Sequence, residues 1–108
     1  MKLKINGIEW LIDEVDGTDS RLTVNSACCF GTTHFRENAI YLHQALKDDA
    51  KKRVLIHELS HAFISEFLIG ETSQFNDEQL CDFVANYSQA INDMADAYFS
   101  KKAKPISS

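Results

Sequence analysis

One proline and four glycines are all that punctuate a chain of 108 residues. These residues break helices and strands, so their scarcity leaves room for long elements. Cysteine is scarce too. Cys28, Cys29 and Cys81 make an odd count, and two of them are adjacent. This excludes a disulfide framework and points to a reducing, cytoplasmic compartment. The adjacent pair also lacks the short spacer of a cysteine-based zinc site. No apolar run approaches the roughly 18 residues of a membrane-spanning helix, and the opening MKLKINGIEW has no signal-like apolar core. Basic charge is in deficit: 11 Lys and Arg face 16 Asp and Glu, for a net charge of −5. A nucleic-acid-binding face is therefore not expected. The two basic clusters, Lys51-Lys52-Arg53 and the one around Lys101, Lys102 and Lys104, read as a solvated helix end and a frayed terminus.

What is present suits a single globular domain. At 44% hydrophobic and 25% charged residues, the chain can bury one modest core. The domain is expected over residues 1–100, with 101–108 as a disordered tail. Ile8 to Val15 is strand-like and ends at the turn signal Asp16-Gly17. Arg21 to Phe30 reads as a second strand and Asn38 to His43 as a third. Asp48 or Asp49 can cap a helix running to about Ile69, stopped by Gly70, with Leu55, Ile56, Leu59, Phe63 and Phe67 as its apolar stripe. After the loop GETSQF, Asn76 can cap a second long helix, with Gln79 completing a capping box. Leu80, Phe83, Val84, Tyr87, Ile91, Met94 and Tyr98 line one face of it. Strands first and helices after imply an α+β class: a small antiparallel three-stranded sheet packed on two helices.

The first helix carries His57-Glu58-Leu59-Ser60-His61, an H-E-x-x-H sequence. Residues at i and i+4 share a helix face, so both imidazoles can reach one ion. Glu58 projects about 100° away around the helix, where it can take a proton from water beside the metal. The motif lies among Val54, Leu55, Ile56, Ala62, Phe63 and Ile64, and histidines so close to a core need partners. A catalytic zinc takes three protein ligands and keeps one position open. Glu78 and Asp82, one turn apart at the start of the second helix, can supply one carboxylate to the metal and one to a ligating histidine's free N–H. Cys81 and Ala85 share the Glu78 side. They are small, so that side can approach the first helix closely.

HELSH followed by DEQLCDFVAN resembles the HExxH…ExxxD pattern of gluzincin metallopeptidases. More narrowly, it is similar to the small ImmA/IrrE-like metallopeptidases of phages and mobile elements. The resemblance covers roughly Phe30 to Ile91 and includes GTTHFRENAIYLH, where a Gly-Thr-rich turn would precede a strand and then the zinc helix. It implies one Zn2+ per chain held by His57, His61 and Glu78, with Glu58 as general base and Asp82 orienting a ligand. It also implies a sheet edge that aligns an extended peptide, for which Ala39 to His43 is the candidate. Ser60 stands where the family usually has glycine.

Peptide hydrolysis also needs a donor for the developing oxyanion. His34 is the first candidate, ahead of His43, Arg36 and Tyr87. Trp10 is expected in the core or the hairpin. Cys28 and Cys29 are expected to lie one buried and one outward, and Cys81 to pack between helices. The expected activity is zinc-dependent peptide hydrolysis acting on a regulatory protein such as a phage or mobile-element repressor. The rivals are a zinc-stabilised binding module, anti-repressor or antitoxin-like, and a plain helical domain without metal.

Overall fold

Asn6 and Gly7 both adopt positive φ, 52° and 78°. Two consecutive left-handed residues make the tight turn that suits a two-residue hairpin. They join β1 (Lys2–Ile5) to β2 (Ile8–Val15), which pair antiparallel with Ile5 opposite Ile8. This is a computed structural model, and it describes residues 1–67 and 77–103. After β2 come a single 3₁₀ turn (Ser20–Leu22), the short pair β3 (Thr23–Val24) and β4 (Ala27–Cys28), then β5 (Gly31–His34) and β6 (Ala39–His43). Two helices follow, α1 (Asp48–Phe67) and α2 (Asp77–Ala103).

The class is α+β, but the sheet differs from the expected three antiparallel strands. It has four strands in the order β1-β2-β6-β5, and β2 and β6 run parallel. A separate two-stranded ribbon is formed by β3 and β4. Arg21 to Phe30 is not one strand. Asn25 and Ser26, at φ 52° and 66°, fold it back on itself. Lys2–Ile5 was not anticipated as a strand, although KLKI alternates and Asn6-Gly7 follows it. Gly31–His34, expected as a turn, is itself a strand. Ala39 to His43 is not an edge: β6 lies between β2 and β5, and four of its five residues are buried. The edge beside α1 is β5.

One sheet face carries Ile5, Trp10, Ile12, Ile40 and Leu42 against Leu55, Leu59, Ala62 and Phe63 of α1 and Phe83, Ile91, Ala95 and Tyr98 of α2. The expected α1 stripe is largely this buried face. On the other sheet face Val15, Ala39 and Tyr41 pack under Leu22 of the 3₁₀ turn. Trp10 is buried as expected, and its Nε1–H donates to Glu66 Oε2 at 2.6 Å, fastening the hairpin to α1. Neither Cys28 nor Cys29 is buried: Cys28, at the end of a ribbon outside the main sheet, is exposed, and Cys29 just after it is half-buried. The helix α2 runs to Ala103. Ile69, Gly70, the loop to Phe75, Asn76 and residues 104–108 lie outside the described residues.

Lys51 is the largest departure from the charge pattern. It is buried, at 3% exposure, and not on a solvated helix end. Its Nζ donates to Glu14 Oε1 at 2.6 Å and to the Gln44 carbonyl at 3.2 Å. The Tyr98 hydroxyl donates to Glu14 Oε2 at 2.5 Å, so one carboxylate of β2 ties both helices to the sheet. Burial, followed by the bond to the Glu14 carboxylate, holds the Tyr98 phenol above its ordinary value of 10.0. The folded chain therefore binds this proton more tightly than the unfolded chain. That contribution to stability is complete below about pH 10 and is lost as the pH rises beyond it. In urea titrations the parent should lose stability above pH 10 more steeply than Tyr98→Phe. Parallel pH profiles for the two proteins would contradict the assignment.

Candidate functional site

The 20-residue helix α1 begins with two acidic residues, as the helix dipole favours, and Asp49 Oδ1 accepts the Ala50 N–H at 2.8 Å. Leu55, Leu59, Ala62 and Phe63 turn one side of the helix into the core, which fixes the direction of every other side chain. His57 and His61 emerge exposed, with ring centroids 4.9 Å apart and planes at 77°. Ser60 faces its own helix, its hydroxyl donating to the Ile56 carbonyl at 2.8 Å.

Glu58 turns the other way, toward the sheet, and is only 8% exposed. Its carboxylate meets β5, where the Thr33 hydroxyl donates to Oε1 at 2.6 Å and lies 3.3 Å from the Glu58 carbonyl. This approach depends on Gly31. A Cβ there would come 2.5 Å from Val54 Cγ1 and 3.2 Å from Glu58 Cγ, so the helix could not lie so near the strand. Neither Thr33 nor Gly31 was singled out in the sequence as a site residue. The only trace was the small, β-branched run Gly31-Thr32-Thr33. Replacing Thr33 by valine leaves a buried carboxylate oxygen without its donor and should cost about 1–3 kcal/mol. Thr33→Ser should stay near the parent. Urea midpoints of the two variants test this, and equal midpoints would remove the role of the hydroxyl.

Glu58 sits at the seam of two shallow depressions flanking β5. One, about 310 Å³, is bordered by His57 with Phe30, Arg53 and Val54. The other, about 420 Å³, is bordered by His61 with Val24, Cys29, Thr33 and Phe35. His34 also borders the second, but its side chain lies on the far face of the sheet. There its Nε2 is 2.9 Å from the Arg21 carbonyl and 3.1 Å from Thr32 Oγ1, and its ring stands edge-on to Tyr41. The ribbon bearing Val24 is steadied by Asp19, which accepts from the Arg21 backbone and guanidinium at 2.8–2.9 Å. Those bonds hold the Asp19 carboxyl down at about 2.

Two imidazoles on one helix face suit two positions of a tetrahedral ion. Glu78 and Asp82 do not join them. Both are exposed at the start of α2, and among the described residues no group of three His, Cys, Asp or Glu side chains converges as a metal site would require. The reason is the rotation of α2. Tyr87 stacks on Phe67 at 4.6 Å and packs at 6.2 Å from Phe63, while Phe83 is buried beside it. The large aromatic stripe takes the contact with α1, so the small side with Cys81 and Ala85 faces outward. Cys81 is accordingly exposed and does not pack between helices. No helix among the described residues is long and apolar enough to cross a membrane. No protein-family model, characterised protein or solved structure matches the chain.

Proposed function

We propose that the chain is a zinc-dependent metallopeptidase of the kind it resembles, the ImmA/IrrE-like group. Its substrate would be an extended segment of a regulatory protein, such as a phage or mobile-element repressor, met in a reducing cytoplasm. The observation that carries this is Glu58. A carboxylate held by Thr33 beside an edge strand, between two exposed histidines of one helix turn, is poorly explained as core packing. When bound, zinc supplies Lewis acidity toward a peptide carbonyl and toward water. Glu58 then serves as the base that takes the proton from the attacking water and returns it to the leaving amine. Thr33 keeps the carboxylate pointed at the groove. The edge of β5 aligns the peptide by strand addition.

His57 and His61 are the first two ligands. The third ligand we propose is Glu78, with Asp82 accepting a ligand's N–H, which requires both to come round from the outward face of α2 toward the histidines. Zinc analysis of the purified protein tests this. About one zinc per chain is expected in the parent, with loss in His57→Ala and His61→Ala and weakened retention in Glu78→Ala. Unchanged zinc in Glu78→Ala would place the third ligand elsewhere, and unchanged zinc in His57→Ala would sink the site.

A second reading has its own observation. Val24 of β3 and Phe30 and Phe35, which flank β5, are 48%, 62% and 51% exposed. A module that binds a repressor or toxin without cutting it would use such a surface.

A further inference from the structure

We propose that the depression on the His61 side of Glu58 is a subsite for one apolar side chain of an extended peptide, with Val24 and Phe35 as its walls. This rests on the peptidase reading for its occupant and goes beyond it in saying which peptides are taken.

The backbone comes first. The His43 N–H donates to the Phe30 carbonyl at 2.9 Å, which makes 30 and 43 a hydrogen-bonded pair. In an antiparallel ladder such pairs alternate. Thr32 opposite Tyr41 and His34 opposite Ala39 are therefore of the same kind. Gly31 and Thr33 must then turn their N–H and C=O groups away from β6, toward the open side of the sheet. No strand among the described residues pairs there. An extended peptide can take those groups as a fifth strand, and its side chains would then alternate between the two sheet faces. One that points to the face bearing Glu58 enters the depression beside His61.

The walls come next. Apart from Glu58 and His61, which the peptidase reading reserves for water and zinc, the polar residues of the depression are already engaged. Thr32 Oγ1 donates to the Arg21 carbonyl at 2.7 Å, the His34 ring is bonded at the same carbonyl, and Thr33 is bonded to Glu58. What remains to meet a ligand is Val24, the half-buried Cys29 and Phe35. Phe35 stands edge-on to Trp10 at 6.4 Å and leaves half its surface bare toward the depression. An exposed apolar cluster around a concavity marks a binding surface. The His57 side is different in kind, because the exposed Arg53 lies there with Phe30. The two sides of Glu58 would therefore not accept the same residues.

The test separates binding from cutting. ¹⁵N-labelled Glu58→Gln protein is titrated with acetyl-Ser-Thr-Phe-Thr-Ser-amide and with the same peptide carrying Ser for Phe. The expected result is amide shifts at Val24, Gly31, Thr33 and Phe35, with the Ser peptide binding about tenfold more weakly or worse. That preference should shrink in Val24→Ser and disappear when Phe35→Ser is added, both being exposed positions. No binding, equal binding of the two peptides, or shifts confined to another face would overturn the proposal. Wild-type protein is then given both peptides. Cleavage with no Phe preference overturns the subsite and leaves the peptidase reading standing. Selective binding with no cleavage keeps the subsite and sinks the peptidase reading.

Discussion

Glu58→Gln should fold like the parent, retain zinc, and hydrolyse peptides about 10²–10⁴-fold more slowly, the usual contribution of a positioned general base. The separation is possible because the proposed mechanism gives Glu58 a second job beside its contact with Thr33. Its Oε1 accepts from Thr33, which a glutamine amide oxygen can still do, whereas only the carboxylate can take up a proton from water. Glu58→Ala removes both. It should therefore lose activity and also about 1–3 kcal/mol of stability through the orphaned contact with β5. A rate assay beside a urea titration for the two variants reads each job independently. A Glu58→Gln protein that cuts at the parental rate would end the peptidase mechanism. One that binds but never cut in the first place would favour the binding module.

The largest effect on stability belongs to Glu14. Its side chain and that of Lys51 are 16% and 4% exposed, and the ion pair is reinforced by Tyr98 and the Gln44 carbonyl. Glu14→Ala leaves an ammonium buried without its counter-charge and a buried phenol without its acceptor. Breaking such a pair from one side costs about 3–5 kcal/mol. Domains of this size have only about 5–15 kcal/mol to lose, so the melting temperature should fall by on the order of 15 °C. Removing both charges together, as Glu14→Leu with Lys51→Met, should recover most of the loss, because a matched apolar pair leaves no buried charge. Calorimetry on the single and double variants decides it. A Glu14→Ala protein melting within a few degrees of the parent would mean that Lys51 reaches water in solution.

By itself, the sequence determined what depends on neighbours a few positions apart. The helix around H-E-x-x-H, its apolar stripe, the shared face of His57 and His61 and the divergence of Glu58 all follow from 3.6 residues per turn. The β1–β2 hairpin is equally local, since Asn6-Gly7 between Ile5 and Ile8 is a turn signal. Only the tertiary structure decided which strands are neighbours. β2 and β6 are parallel and distant in sequence, and no local pattern names a partner strand. The same limit hid the site's support. Gly31 and Thr33 matter because α1 lies against β5, and Lys51 is buried against Glu14, which Tyr98 of the distant α2 also holds. It also decided the side of α2 that faces α1. Glu78, Cys81 and Asp82 sit on a face that helical spacing defines correctly, but the rotation of that face is set by where Phe83 and Tyr87 bury the most apolar surface. Periodicity says which side chains stand together on an element, while packing energy, summed over partners remote in sequence, says what they stand against.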